Sequence, residues 1–327
     1  MPTTTAALLF TIAVLAIGAI MYALSRTPAP PDASRARSQT AQRPGTIYSW
    51  GYQLQNLDIA HAAAGPFDLL VVDPAKDGSD DSGLTAIELD RLKTKPDGGR
   101  RLVLAYLSIG EAESYRGYWN PDWTKHKPAW LLRENPEWDE NYAVCFWDPG
   151  WQAIMCGSPD ARLDRIIAAG FDGVYLDKCD VFEDMREQKM KEATARPDLE
   201  GDMVSFIQRL SKHGKARNPG FLVVMQNAEN LLDRAEVRKA LDGVAKEELV
   251  FGLDGPEKRN DPEAVDWSRK QLDLVKREGK FVLVVEYLGN ARKIDEARQA
   301  IAPLGYTLAI SPKDRALKAL PYPPEPV

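Results

Sequence analysis

The sequence predicts an α/β fold, a (β/α)8 TIM barrel preceded by an N-terminal hydrophobic segment. Three observations predict it. Eight short runs rich in Val, Leu and Ile have the composition of parallel strands buried on both faces. Stretches with apolar residues at helical spacing alternate with them, the pattern of βα units. Glycines close several of those stretches, where a left-handed residue carries no Cβ clash.

In chain order the strand-like runs are 47–54, 68–73, 101–111, 173–177, 221–227, 243–251, 281–288 and 306–311. Leu163, Ile166 and Ile167 form one helical stripe before Gly170. Met203, Phe206, Ile207 and Leu210 form another, with Gly214 expected to end it. Leu272 and Val275 lead to Gly279, and Ile294, Ala297 and Ile301 lead to Gly305. Eight strands with interleaved helices in about 270 residues match the usual size of a (β/α)8 barrel. A doubly wound open sheet is the alternative, but no GxGxxG or P-loop follows any strand.

At 327 residues, 44% hydrophobic and 28% charged, the chain is globular material able to bury a large core. A disordered chain, a collagen-like fibre and a polytopic membrane protein are excluded. The net charge of −6 argues against a nucleic-acid partner, whose phosphates attract basic surfaces. Residues 1–43 carry four basic side chains and one acid, Asp32, so the remainder stands at −9 and should favour neutral or cationic partners. Three cysteines are too few for a disulfide scaffold.

The run from Ala6 to Leu24 has no charged residue and is nineteen residues long. That is enough to span a bilayer core and exceeds the usual signal-peptide core. A membrane anchor or uncleaved signal over 1–25 is preferred to a cleaved signal; the arginines that follow the run would by themselves hold the rest of the chain in the cytoplasm, against the export implied by the resemblance below, so orientation is left open. A flexible linker rich in Pro, Ala, Ser and Arg is expected over 26–45, the barrel over 46–318 and a Pro-rich tail over 319–327.

Catalytic side chains of such barrels project from the C-terminal ends of strands. Those ends carry Asp73, Glu111, Asp177, Glu229, Glu247 (with Glu248 beside it) and Glu286. One acid after a strand is most often a helix cap or a solvated charge. Several converging on one mouth repel one another and need a compensating use. The three histidines, His61, His126 and His213, show no metal-site spacing, so no metal or other cofactor is expected. No GxSxG or Ser–His arrangement points to acyl transfer. Carboxylates without such partners suit glycoside hydrolysis, in which one acid protonates the leaving oxygen and a second stabilises or bonds to the sugar cation. Six of the eight tryptophans fall between 119 and 151, after the third strand. Four are expected to pack that insertion and two to face substrate.

Six strings carry a resemblance to a known family: SWGYQLQNLD, VVDPAKDG, LAYLSIGEAESYR, GFDGVYLDKCD, VMQNAE and LDGVAKEELVFG. In this order they resemble the endo-α-1,4-polygalactosaminidase-like proteins, glycoside hydrolase family 114, over roughly Tyr48 to Ser311. The resemblance implies an exported barrel that cleaves α-1,4-linked galactosamine polymer of microbial exopolysaccharide, and so an extracytoplasmic chain, membrane-anchored or secreted. It carries the catalytic pair onto Asp177 and Glu247, with Asp177 preferred as nucleophile and Glu247 as general acid/base. Asp73, Tyr106, Glu111, Asn227 and Glu229 look like substrate-positioning groups, and Glu286 is the runner-up for the second acid. A monomer acting on a cationic amino-sugar polymer is the expectation. The alternatives are a glycosidase acting on another polysaccharide and a non-catalytic carbohydrate-binding barrel. Adjacent strand residues point to opposite faces, so only one of Glu247 and Glu248 can face the mouth. Cys179 is expected to be a buried inert thiol, and export would permit a Cys145–Cys156 disulfide.

Overall fold

The computed structural model describes residues 46–321 except Gly78, Asp80 and Asp81. The hydrophobic run, the linker and residues 322–327 lie outside the described residues, and the anchor and signal expectations with them. Among the described residues no helix is long and apolar enough to cross a membrane.

Eleven strands are described: β1 (Trp50–Gln53), β2 (Leu69–Val72), β3 (Leu102–Ser108), β4 (Glu111–Glu113), β5 (Leu131–Glu134), β6 (Asn141–Val144), β7 (Gly173–Asp177), β8 (Leu222–Gln226), β9 (Gly243–Glu247), β10 (Phe281–Tyr287) and β11 (Thr307–Ser311). Eight of them form one sheet in the order β1-β2-β3-β7-β8-β9-β10-β11, and every pairing is parallel. This is the (β/α)8 barrel. Its seam is bridged by side chains: Trp50 Nε1 on β1 donates to the Thr307 carbonyl at 3.0 Å, and Thr307 Oγ1 donates to the Ile47 carbonyl at 2.7 Å. β4, β6 and β5 form a separate antiparallel sheet inside the connection after β3; the third barrel strand therefore ends at Ser108 rather than 111, Glu111 opens β4 instead of closing a barrel strand, and β5 and β6 were not expected from the sequence.

Two cores follow from side-chain alternation. Trp50, Tyr52, Leu104, Tyr175, Val224 and Val285 belong to the cluster inside the barrel. Val103, Val174, Val223, Val244 and Val284 belong to the cluster between sheet and helices.

Two expectations are corrected. Gly214 does not end its helix, which runs from Leu199 to Arg217. A Cβ at Gly214 would lie 2.6 Å from the Phe221 ring, so this glycine serves packing against Phe221. The sixth barrel strand ends at Glu247 rather than 251, because Glu248 takes a left-handed conformation (φ 56°) that leaves the ladder. Gly170 (φ 97°), Gly279 (φ 74°) and Gly305 (φ 64°) do close their helical segments.

The tryptophans mostly build the insertion. Trp119, Trp123, Trp130 and Trp151 interlock in sequence with ring centroids 5.3, 5.0 and 5.3 Å apart. Trp147 packs edge-on against Phe146 and carries the Arg196 guanidinium over its ring. Trp138, 53% exposed, stands apart from them. Cys145, Cys156 and Cys179 are all buried free thiols, and no Cys145–Cys156 bond is formed.

Candidate active site

Alternation decides which strand-end side chains reach the barrel interior. On β7, Tyr175 is in the inner core while Val174 and Leu176 are in the outer one, so Asp177 continues the inner face. On β9, Ala245 is inner and Val244 outer, which makes Glu247 inner and Lys246 outer. The same count turns Gln226 and Tyr287 inward and Glu286 outward.

Asp177 and Glu247 meet this interior through neutral donors. The Tyr106 hydroxyl donates to Asp177 Oδ2 and the Lys178 amide to Oδ1, each at 2.7 Å. Glu247 accepts from the Tyr287 hydroxyl at Oε1. At Oε2 it accepts from Gln226 Nε2 and, at 3.2 Å, from Asn227 Nδ2. Gln226 stands on β8, the strand between β7 and β9, and its Oε1 accepts from the Tyr52 hydroxyl at 3.3 Å. Burial, and then the charge of Glu247, push Asp177 up to about 7, with the Tyr106 bond pulling the other way. Burial and then the neighbouring carboxylate raise the Tyr106 and Tyr287 hydroxyls well above their ordinary range, so both stay protonated donors.

The backbone beneath the pair is strained in a repeated way. Lys178 (φ 56°), Asn227 (φ 53°) and Glu248 (φ 56°) follow β7, β8 and β9 in left-handed conformations, and none is glycine. Each such residue costs roughly 1–3 kcal/mol, and such costs gather where function fixes geometry. Gly110 serves the same end of the barrel, since a Cβ there would sit 2.1 Å from the Lys178 carbonyl oxygen.

The other four acids are engaged elsewhere. Arg116 clasps Asp73 at both oxygens, at 2.9 and 2.8 Å, and binds Glu113 as well. Although burial opposes it, this guanidinium holds Glu113 below its ordinary range. Glu111 accepts from Asn135 Nδ2 at 2.8 Å and pairs with Lys178 Nζ at 3.3 Å. Glu229 pairs with Lys246 Nζ at 3.2 Å and accepts from Ser268 at 2.6 Å. Glu286 is fully buried on the outer face and accepts from the amides of Val250 (2.7 Å) and Phe251 (3.1 Å). Burial raises it to about 8 while those two amides pull down. Glu248 is tied to Arg315, outside the inner cluster.

The structure thus brings Tyr106, Asp177, Asn227 and Glu247 together and anchors Asp73 and Glu111 through cations nearby. It does not bring Glu229 or Glu286 into that cluster. Glu229 acts at one remove: Lys246, its partner, lies 3.5 Å from Asn227 Oδ1, which also accepts from the Glu247 amide at 3.1 Å. That fixes the Asn227 amide so that its Nδ2 meets Glu247. Sequence reasoning missed Gln226, Tyr287, Tyr52 and Lys246. The available signal was strand parity: counting by twos from Val224 and Val285 selects Gln226 over Asn227 and Tyr287 over Glu286.

Residues 31–318 match the family model described as glycoside-hydrolase family GH114. The molecule is a glycoside hydrolase built on a (β/α)8 barrel. The chain belongs to family GH114. It is 38% identical over 285 residues to the uncharacterized protein MJ1477 of Methanocaldococcus jannaschii, covering 84% of this chain and 78% of that protein. An uncharacterized protein of Deinococcus radiodurans is 33% identical over 290 residues, covering 84% of each. Among solved structures, the glycoside hydrolase domain of PelA from Pseudomonas aeruginosa superposes with a TM-score of 0.59 at 20% identity. That superposition covers 85% of this chain and 98% of that domain, a likeness of fold.

Proposed function

We propose that this glycoside hydrolase cleaves α-1,4-linked galactosamine polymer, with Asp177 and Glu247 as the reacting carboxylates. One observation carries the choice of residues: of the six strand-end acids, these two share the barrel interior and are held by uncharged donors. The other four are neutralised or capped. Asp177 attacks the anomeric carbon while Glu247 protonates the leaving oxygen. Water then cleaves the glycosyl–Asp177 ester with Glu247 as base.

The ionisation of the pair supports an amino-sugar substrate. Without substrate, burial and the Glu247 charge keep a proton on Asp177 up to about pH 7. A protonated sugar amine beside the pair offsets that field and lets Asp177 ionise for attack. The attraction is local to this pair, because Arg116, Lys178 and Lys246 already neutralise acids around it. The test is reducing-end release from three polymers: partly deacetylated poly-galactosamine, its fully N-acetylated form and a neutral α-glucan. The deacetylated polymer should be cleaved fastest, with a rate that falls as salt rises. Equal rates on all three, insensitive to salt, would contradict the substrate assignment.

A further inference from the structure

The reacting pair accounts for the bond-breaking step but not for how a polymer is held across the mouth of the barrel. One aromatic side chain there is exposed and yet fixed. Tyr115 follows β4 in the chain and is 40% exposed. Its hydroxyl donates to Glu113 Oε1 at 2.6 Å, and the Arg116 guanidinium lies over its ring, 5.1 Å from the centroid. Arg116 is itself buried and held by Glu113 and Asp73. With the hydroxyl spent and a guanidinium on one face, the surface that Tyr115 leaves open is the other face of its ring.

Strand parity puts this ring beside the pair. Leu69 and Val71 of β2 belong to the inner core, Leu70 and Val72 to the outer one, and Asp73 continues the inner face. β2, β3 and β7 are neighbours in the sheet, so Asp73, Tyr106 and Asp177 follow one another round the inner rim. Tyr106 reaches Asp177 from the middle strand, and Arg116 holds Tyr115 on the Asp73 side. β2 and β7 are two strand spacings apart, roughly 10 Å. A sugar ring lying on Tyr115 is therefore a neighbour of the sugar at Asp177.

The other large exposed aromatics among the described residues are placed differently. Tyr48 precedes β1 at the opposite end of the barrel, Trp267 lies on the outer helix Pro262–Arg277, and Trp138 sits between β5 and β6. A pyranose ring presents a flat C–H face that an aromatic ring can cover. A ring already held in place loses little side-chain freedom when it binds. Asp73 and Glu113 outnumber Arg116, so the base beneath Tyr115 does not repel a cationic sugar.

We propose that Tyr115 is a stacking platform for the sugar ring next to the one at the reacting pair. The inference rests on the reading of Asp177 and Glu247 as the reacting carboxylates, and it requires a pyranose ring but no amine. It gives the buried Asp73–Arg116–Glu113 cluster a use in binding: the cluster fixes the plane of the platform.

The experiment compares full-length wild type, Tyr115→Leu, Tyr115→Phe and Trp138→Ala by urea unfolding and by reducing-end release from the three polymers named above. On any polymer that wild type cleaves, Tyr115→Leu should raise KM about tenfold and leave kcat within about twofold. Tyr115→Phe keeps the ring and loses the bond to Glu113. It should unfold at lower urea and keep KM within about twofold of wild type. Trp138→Ala should match wild type in KM and kcat. A KM for Tyr115→Leu equal to that of wild type overturns the platform, and so does a tenfold rise in KM for Tyr115→Phe. Cleavage of galactosamine polymer with no Tyr115→Leu effect sinks the platform and leaves the substrate reading standing. Cleavage of the neutral α-glucan alone, with the Tyr115→Leu effect present, does the reverse. A wild type that cleaves none of the three overturns both.

Discussion

Two sets of carboxylates crowd one end of this barrel, and they differ in what holds them. Asp73, Glu111, Glu229 and Glu286 are met by Arg116, Lys178, Lys246 and two backbone amides respectively. Asp177 and Glu247 are met by tyrosines, amides and one backbone N–H. A cation occupies a carboxylate's oxygens and offsets the cost of burying its charge. Neutral donors orient it and leave its protonation adjustable, which acid–base work requires. The residue type at a strand end therefore says little; a cation partner decides for Asp73, Glu111 and Glu229, and the outward face of its strand decides for Glu286, whose donors are neutral too.

The largest expected break in this comparison is Asp177→Asn, which should lower polymer turnover by about 10³-fold, within the range for loss of a positioned acid–base or nucleophilic group. Steady-state kinetics on folded protein checks it. Next comes the scaffold set. Arg116→Met leaves Asp73 and Glu113 buried without their cation, and should destabilise the fold by about 3–5 kcal/mol in urea unfolding.

The pH dependence of stability sharpens the contrast. Asp177 is raised from 3.8 to about 7, so the folded state holds its proton more tightly than the unfolded chain does. The resulting stabilisation is fully present below the unfolded value and is lost as pH rises through about 7. Asp177→Asn should therefore leave stability unchanged near pH 3 and raise it near pH 8, on the order of 2–4 kcal/mol. Paired urea titrations at the two pH values read the difference.

The smallest expected effect joins the two sets. Lys246→Met combined with Glu229→Gln removes both charges of the outer pair, which is close to neutral for stability when both partners go. Asn227 then loses the group that orients its amide, and kcat should fall roughly tenfold with KM unchanged. A fall in KM-dependent binding alone would place Lys246 in substrate contact instead.

The barrel was legible in the sequence because burial on both faces writes itself as continuous Val, Leu and Ile. The GVYLD run matches β7 residue for residue. Strand ends were harder. GVAKEELVF reads as one apolar-leaning run, yet the chain leaves the ladder at Glu248 through a left-handed turn that composition does not mark. Gly214 carries the same ambiguity, since a glycine can end a helix or let a neighbour approach, and only Phe221 decides. In the site, Asp177 and Glu247 were readable from position and resemblance. The occupation of Asp73 by Arg116 was not, because their contact spans 43 positions of sequence. Parity was available for Glu286, but reading it needs the register of a strand whose two faces are both apolar.

The most direct test sets one member of each group side by side. Reducing-end release from deacetylated poly-galactosamine is measured for Glu247→Gln and Glu286→Gln at equal amounts of folded protein. The account predicts a loss of about 10³-fold for Glu247→Gln and activity within a few-fold of wild type for Glu286→Gln. The reverse pattern, with Glu286→Gln inactive and Glu247→Gln near wild type, would contradict it.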